Sequence, residues 1–199
     1  MSAKLKLAVL VSGSGSNLQA IIDACARNNY PAEVSVVIAN RPDAYGLERA
    51  KLAGIPAILV DHEEHKGRTA FEAALQDALD DFDIDLICLA GFMRILTADF
   101  IAKWPNKIIN THPALLPNFG GKGMYGEHVH TAVLAADEHE SGCSIHYVIP
   151  EVDQGELIVQ RRVDVHADDT VETLSARVIA QEHIAYPEAI EKIAQERLK

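Results

Sequence analysis

Short runs of aliphatic residues recur along the first 110 positions, and each run ends at or near Gly, Asn, Asp or Pro. Runs of this length between turn-forming residues predict buried strands. The predicted strands cover residues 5–12, 34–40, 55–60, 84–90 and 107–110. The segments between them have helical length and spacing and predict helices. These helices cover residues 16–28, 44–53, 68–81 and 97–104.

Strand and helix in regular succession predict an α/β fold, with right-handed crossovers and a doubly wound, mostly parallel sheet. The later part of the chain has a different pattern. Residues 143–149 and 157–165 resemble strands separated by a turn-rich segment, which predicts antiparallel or mixed strands added to the sheet. A long helix, opened by Asp169 and Thr170 and running from residue 173 to about 198, closes the chain.

Composition and charge narrow the class of protein. With 199 residues and 48% hydrophobic content, the chain can form one globular domain with a sizeable core. A net charge of −11 argues against a nucleic-acid surface and repels anions at long range, so an anionic substrate must be captured locally.

Cysteine usage and the amino-terminal segment bear on localisation. The three cysteines are far apart and at no metal-ligand spacing, which favours a reducing, cytoplasmic setting without disulfides or a zinc ribbon. The apolar run at residues 7–11 is too short for a signal peptide or membrane span, so we expect neither export nor membrane insertion.

In open α/β sheets, ligands bind beyond the carboxyl ends of the strands. The first such loop, VLVSGSGSNLQA at residues 9–20, leads through Gly13 and Gly15 into a helix, where backbone amides and the helix dipole favour a phosphate. The alternative is an ordinary tight turn. A dinucleotide fingerprint would need glycine at Leu18 and an acidic residue near Asn40, so the loop predicts a monophosphate site.

The loop LAGFMRIL at residues 89–96 follows the most continuous apolar strand. Gly91 would let a planar ligand approach the backbone, Met93 offers an adaptable apolar wall and Arg94 could meet a carboxylate. Taken alone the pattern also fits core packing.

The strongest chemical signal is Asn110-Thr111-His112-Pro113, followed about forty residues later by Asp153. A carboxamide, an imidazole and a carboxylate can polarise a carbonyl, hold its oxyanion and move a proton, which is the equipment of acyl transfer. A single histidine near a strand end is usually structural. Its neighbours Asn110 and Pro113, together with the later Asp153, favour catalysis here.

The histidines at positions 128, 130 and 139 raise the alternative of a metal site. Their surroundings, GEHVHTAVLAADEHE, fit an exposed helix edge better. We therefore predict no metal.

The motifs VSGSGSNLQA, LAGFMRIL, NTHPALLP, EVDQGELI and AQEHIAYP occur in this order over nearly the whole chain. Together they resemble the glycinamide ribonucleotide formyltransferase family, the folate-dependent transformylases of purine synthesis. The resemblance implies transfer of a formyl group from 10-formyltetrahydrofolate, as co-substrate, to the amino group of 5′-phosphoribosyl-glycinamide. It implies one domain over residues 1–199, with a Rossmann-like phosphate-binding half at 1–110 and a folate and catalytic half at 111–199.

The resemblance also implies roles for individual residues. The catalytic group comprises Asn110, His112 and Asp153. The ribonucleotide-binding residues are Gly13, Gly15, Ser16, Asn17 and Glu182. The folate-binding residues are Arg68, Met93, Arg94, Leu96 and Asn110. The expected partners are these two small molecules, with neither nucleic acid nor membrane, and a homodimer stays open.

Three departures from the family pattern stand out: Ala114 where Ser is common, Thr111 where Ile is frequent, and a longer, glycine-rich segment at 118–130 that could form a lid. Three rival readings stay open. Methionyl-tRNA formyltransferase would be expected to carry an additional RNA-binding domain, and formyltetrahydrofolate hydrolase an additional regulatory domain. A noncatalytic sugar-phosphate-binding module would not need Asn110, His112 and Asp153 together.

Overall fold

The computed structural model describes residues 4–198, in which seven strands form one sheet in the order β3-β2-β1-β4-β5-β6-β7. The strands are β1 Leu5–Val11, β2 Ala32–Ala39, β3 Ala57–Leu59, β4 Leu86–Leu89, β5 Ile108–His112, β6 Glu140–Tyr147 and β7 Leu157–Asp164. The helices are α1 Ser16–Cys25, α2 Gly46–Leu52, α3 Arg68–Asp80, α4 Ala98–Lys103, α5 Glu127–Ala135 and α6 Val171–Arg197. A short 3₁₀ turn covers His62–Glu64.

The first five strands are parallel, and β6 and β7 join antiparallel to β5 and to each other. This arrangement confirms the predicted fold class. The strand order reverses beside β1, whose neighbours are β2 and β4. Because β1, β4 and β5 are parallel, the loops that follow them lie at the same edge of the sheet. That edge is where a ligand is expected in an open α/β sheet.

Both faces of the sheet are buried, and side chains alternate between two apolar clusters. Along β1, Val9 belongs to one cluster and Leu10 to the other, and both are fully buried. The first cluster includes residues of α1, α2, α5 and α6, and the second includes residues of α3 and α4. Continuous apolar strands were therefore the correct sequence signal, because a strand covered on both faces has no polar side.

The long helix α6 begins where the sequence predicts a cap. Thr170 accepts a hydrogen bond from the Thr173 backbone, and the Thr173 hydroxyl accepts one from the Thr170 backbone. Farther along α6, the buried Tyr186 hydroxyl donates to the carbonyl of Leu89 at 3.0 Å. This contact ties α6 to the carboxyl end of β4, next to the candidate site.

Some predicted boundaries differ from the structure. β5 continues through His112 instead of ending at residue 110, because β6 pairs with its last residues. β3 is limited to the residues that pair with β2, and α1 ends at Cys25 rather than near residue 28. The proposed boundary between the halves, after residue 110, lies inside β5, and both halves contribute strands to the same sheet.

Across residues 4–198 the structure contains no helix that is both long and apolar enough to cross a membrane.

Candidate active site

The loop after β1 has the geometry of an anion-binding turn. Gly15 takes a left-handed conformation (φ 70°) immediately before α1. The loop carbonyls are directed to α2: Gly46 N–H donates to the Gly13 oxygen at 3.1 Å, and Arg49 Nε donates to the Ser14 oxygen at 2.8 Å. The first N–H groups of α1 have no partner within the helix and can bind an anion.

Close backbone packing fixes this loop against α2. A Cβ atom on Gly15 would lie 3.0 Å from the Cα of Gly46, and a Cβ on Gly46 would lie 2.7 Å from a methyl of Val11. Gly46 was not singled out from the sequence. Its only signal there is a glycine at the start of a predicted helix, where other small residues are common too.

A cavity of about 340 Å³ adjoins the loop. The loop at 89–96 forms part of its wall, so two sequence-predicted sites meet in one space. The cavity is lined by Ser12, Gly13, Ser14, Gly15, Ser16, Asn17, Arg41, Ala90, Gly91 and Met93. Arg41 lies at this wall, where its guanidinium forms a two-point ion pair with Asp43 at 2.9 and 3.0 Å.

A buried hydroxyl links the two loops. Ser12 donates to the side-chain oxygen of Asn40 at 2.5 Å and accepts from the Met93 backbone N–H at 2.7 Å. Ser12 and Asn40 are 7% and 2% exposed, so water does not compete for these bonds. The position of the Met93 backbone is thus set by the residue that directly follows β1.

Four of the five residues expected to bind folate, all except Asn110, have different environments. Met93 is 58% exposed at the cavity, whereas Leu96 is 5% exposed and packs in the core. The Arg94 guanidinium lies over the Phe71 ring, 5.8 Å from its centre. Arg68 is exposed at the first position of α3, one turn before Phe71. Both arginines therefore lie near the start of α3.

The structure places His112 and Asp153, two members of the expected catalytic group, next to each other. His112 Nδ1 is 3.4 Å from Asp153 Oδ2, and the two side chains are 4% and 8% exposed. The second ring nitrogen, Nε2, lies 2.8 Å from the carbonyl oxygen of Phe119. Since a carbonyl only accepts, Nε2 carries a proton. Both ring nitrogens face acceptors, an arrangement that an imidazolium satisfies with two N–H donors.

A second imidazole, from His146, also faces Asp153. Its Nε2 is 3.6 Å from Asp153 Oδ1 and 3.4 Å from the Asn110 amide nitrogen, while Nδ1 is 2.9 Å from the Tyr147 carbonyl. Nδ1 must donate to that carbonyl, which leaves Nε2 of a neutral ring as the acceptor for Asn110. Burial lowers the pKa of His146 and favours this neutral form. His146 thereby orients the amide of Asn110.

His146 was missed from the sequence, although a signal is present. Ser144 and His146 are polar residues two apart in the buried β6, on the face that also carries Asn110 and His112 in the antiparallel register. Polar residues at period two within a buried strand mark one face of the sheet. Recognising their proximity to Asn110 requires the pairing of β5 with β6, which is not encoded locally.

Glu182 is almost fully buried, at 6% exposure, and connects three elements. It accepts from the Asn17 amide at 2.8 Å and from the Thr111 hydroxyl at 3.1 Å. Burial raises the pKa of this carboxyl, and the two hydrogen bonds act in the opposite direction. Two predicted ribonucleotide-binding residues, Asn17 and Glu182, are therefore in direct contact.

The glycine-rich segment at 118–130 touches the Asn110–His112–Asp153 group. Besides the Phe119 carbonyl on His112, Gly121 N–H donates to Asp153 Oδ2 at 2.9 Å. Phe119 has a positive φ of 53°, an unusual value for a residue with a Cβ. The segment thus supplies a hydrogen-bond acceptor for the His112 ring and a donor for the Asp153 carboxylate.

One expectation for the histidines is wrong. His128 and His139 are exposed, but His130 is 2% exposed on the inner side of α5, with burial lowering its pKa. The sequence interpretation failed because α5 packs its Val129 and His130 side against the core. Among residues 4–198, no group of three or more His, Cys, Asp or Glu side chains is placed to bind a metal ion.

A glycine turn before a helix and an Asn-His-Asp group lie at one edge of a doubly wound sheet, an arrangement suited to group transfer. Residues 5–190 match the family model described as formyl transferase, and the chain belongs to that family.

Within the family, the chain is similar to phosphoribosylglycinamide formyltransferases. It is 41% identical to the protein of that name from Escherichia coli over 195 residues, covering 98% of this chain and 90% of that protein. It is 45% identical to the crystal structure of glycinamide ribonucleotide transformylase 1 from Symbiobacterium toebii, with a TM-score of 0.92 over 98% of this chain and 89% of that one.

The chain is also 45% identical to the trifunctional purine biosynthetic protein adenosine-3 of Gallus gallus, over 191 residues. That match covers 96% of this chain and 18% of the length of the relative. The similarity therefore concerns one part of a larger protein.

Proposed function

We propose that this protein transfers the formyl group of 10-formyltetrahydrofolate to the amino group of 5′-phosphoribosyl-glycinamide, in the cytoplasm, as one step of purine synthesis. The observation that carries the proposal is the cavity shared by the phosphate-type loop and the 89–96 loop, at the sheet edge that also carries Asn110 and His112. The names of the relatives support the same activity.

The ribonucleotide is proposed to bind at the α1 end of this edge. Its phosphate would accept hydrogen bonds from the amides of Gly13, Gly15, Ser16 and Asn17. Its ribose hydroxyls would donate to Glu182, which lies against Asn17. This placement leaves the glycinamide amine directed along the edge toward β5.

The folate is proposed to bind at the 89–96 loop. Met93 is exposed for contact with a flat ring, and Leu96 supports the loop from the core. Arg94 and Arg68, near the start of α3, are the proposed partners of the glutamate carboxylates. Ser12 fixes the Met93 backbone and holds this wall in place.

The reaction requires two contributions from the protein. Attack of the amine on the formyl carbon produces a negative oxygen and a positive nitrogen, so one must be stabilised and the other deprotonated. Asn110 is proposed to donate to the oxyanion, oriented by His146. One such donor is worth on the order of 2.7–4 kcal/mol in the transition state.

Asp153 and His112 are proposed to manage the charge and the proton. Asp153, 3.4 Å from the ring, would orient His112 and place a negative charge beside it. His112 Nε2 donates to Phe119, so donation to the oxyanion requires the 118–130 segment to move when substrate binds. The proton lost by the amine would pass by way of Asp153 and water to the departing folate nitrogen.

A single assay tests the proposal and its rivals. Purified protein is incubated with labelled 10-formyltetrahydrofolate, with and without glycinamide ribonucleotide. Label on the glycinamide is the expected result. Label released as formate would instead indicate a hydrolase, and absence of turnover despite ribonucleotide binding would indicate a sugar-phosphate-binding module.

A further inference from the structure

The residue between Asn110 and His112 faces a different part of the molecule from its two neighbours. Side chains alternate along a strand, so Thr111 points to the opposite face of the sheet. There its hydroxyl donates to Glu182 Oε1 at 3.1 Å. One stretch of β5 thus carries the reacting groups on one face and a contact to Glu182 on the other.

Glu182 has little freedom where it lies. Asn17 holds one oxygen at 2.8 Å from α1, and Thr111 holds the other from β5. A carboxylate can accept about four hydrogen bonds, so roughly two acceptor positions are left. A ribose hydroxyl can donate at one of them.

A second observation at this position points to a ligand. The side-chain oxygen of Asn17 is buried and accepts no hydrogen bond from any residue in the range 4–198. An acceptor in this state costs free energy unless a donor is supplied. Of the two vicinal hydroxyls of a bound ribose, one can donate to this oxygen and the other to Glu182.

We propose, resting on the function proposed above, that Thr111 is a positioning residue for the ribonucleotide. Its hydroxyl fixes the Glu182 carboxylate between α1 and β5, so that Glu182 receives a ribose hydroxyl at a set distance from Asn110 and His112. The residue acts through Glu182 and does not touch the reacting atoms.

Protonation of Glu182 provides a readout for this role. Burial raises the Glu182 pKa, and the Thr111 hydrogen bond opposes the rise, so removing the hydroxyl moves the pKa further upward. The other ionisable groups that sense the Glu182 charge are Cys143 of β6 and Tyr186 of α6, whose pKa values are raised by burial, that of Cys143 to about 12. Both stay neutral over the relevant range. His183, the next residue on α6, has its pKa lowered by burial and by the charge of Arg49.

The test compares Thr111→Val, which keeps the shape and removes the hydroxyl, with Thr111→Ser, which keeps the hydroxyl. For Thr111→Val we expect KM for the ribonucleotide to rise about three- to tenfold at pH 6 and less at pH 8, with kcat and the folate KM unchanged. Thr111→Ser should restore the wild-type pH profile. Unchanged KM for Thr111→Val at both pH values, or equal losses in the two variants, would overturn the proposal.

A second measurement is independent of catalysis. The carboxyl carbon of Glu182, labelled with ¹³C and assigned with Glu182→Gln, is titrated by NMR in wild type and in Thr111→Val. A higher midpoint in the variant is expected, and an unchanged midpoint contradicts the positioning role whatever the activity. Wild-type protein that makes no formylated product would refute the proposed function instead.

Discussion

One carboxylate lies between two imidazoles at the centre of the candidate site. Asp153 is 3.4 Å from His112 and 3.6 Å from His146, and its φ of 58° is in the left-handed region. Asn and Asp tolerate that region better than other residues with a Cβ. Asp153 can therefore be replaced by Asn, which removes the charge without straining the backbone and so suits a kinetic test.

Asp153→Asn should lower kcat and kcat/KM together, by roughly 10²–10⁴-fold, with little change in either KM. The variant keeps an oxygen for Gly121 N–H but loses the negative charge that lies beside His112. His112→Ala should be comparably severe, and the double mutant far less than multiplicative. Steady-state kinetics of all three variants is the measurement.

Asp137→Asn is the matched control, because Asp137 also has a positive φ (53°) and is exposed beyond α5. It should leave kcat unchanged. Near wild-type kcat for Asp153→Asn, or strictly multiplicative losses in the double mutant, would show that Asp153 and His112 do not act as a pair.

Gly15→Val should raise KM for the ribonucleotide by about tenfold or more, because a β-branched residue is strained at φ 70° and its Cβ would press on Gly46. Folate affinity, measured by fluorescence titration, should be retained. Gly54→Val is the control, since Gly54 shares the positive φ (71°) but has open space around it. Loss of folate affinity in Gly15→Val, with normal ribonucleotide binding, would refute the assignment of the loop.

At the scale of elements, the start of α3 and the 89–96 loop form one unit. Thr97 N–H donates to Glu72 Oε1 at 2.7 Å, the Thr97 hydroxyl also donates to Glu72, and Arg94 stacks on Phe71. Helix α3 thus supports the loop at two points. Arg68, at the exposed first position of α3, forms none of these contacts.

Arg68→Ala should weaken binding of a glutamylated folate about two- to tenfold, the range for one partly solvated ion pair. The effect should disappear for a pteridine that lacks the glutamate, because the lost partner is the carboxylate. Calorimetry with both ligands makes the comparison. Arg27→Ala, with the same charge change at an exposed site beyond the end of α1, should alter neither affinity. Equal weakening for both ligands would contradict the placement of Arg68.

At the scale of the whole molecule, the three thiols report on the integrity of the core. All are unpaired, and burial raises the pKa of Cys25 and of Cys143 to about 12 and that of Cys88 well above its usual value. Because the thiolate is the reactive form, native protein at pH 8 should show no fast reaction with a thiol reagent. In guanidinium chloride all three should react. A stoichiometric fast thiol in the native state would contradict this picture, and Cys25→Ser would identify its source.

The fold could be predicted from the sequence to a large extent. Apolar runs such as that in β1 are interpreted correctly because both faces of the sheet are covered, and the Thr170 cap marks the start of α6. The sequence predicts too early an end for β5, because polar residues such as Thr111 and His112 are uncommon in a buried strand. Their strand conformation comes from pairing with β6, more than thirty residues away.

The sequence by itself determined which chemical groups were available: a glycine turn at Gly15 before a helix, and the set Asn110, His112 and Asp153. These features are local, since residue type, spacing and backbone preference are fixed within a few positions. Tertiary structure alone decided that His146 shares Asp153, that Thr111 holds Glu182, and that His130 is buried. Each depends on contacts between residues distant in the chain or on which side of an element packs inward, and those are set by how strands pair and helices cover them.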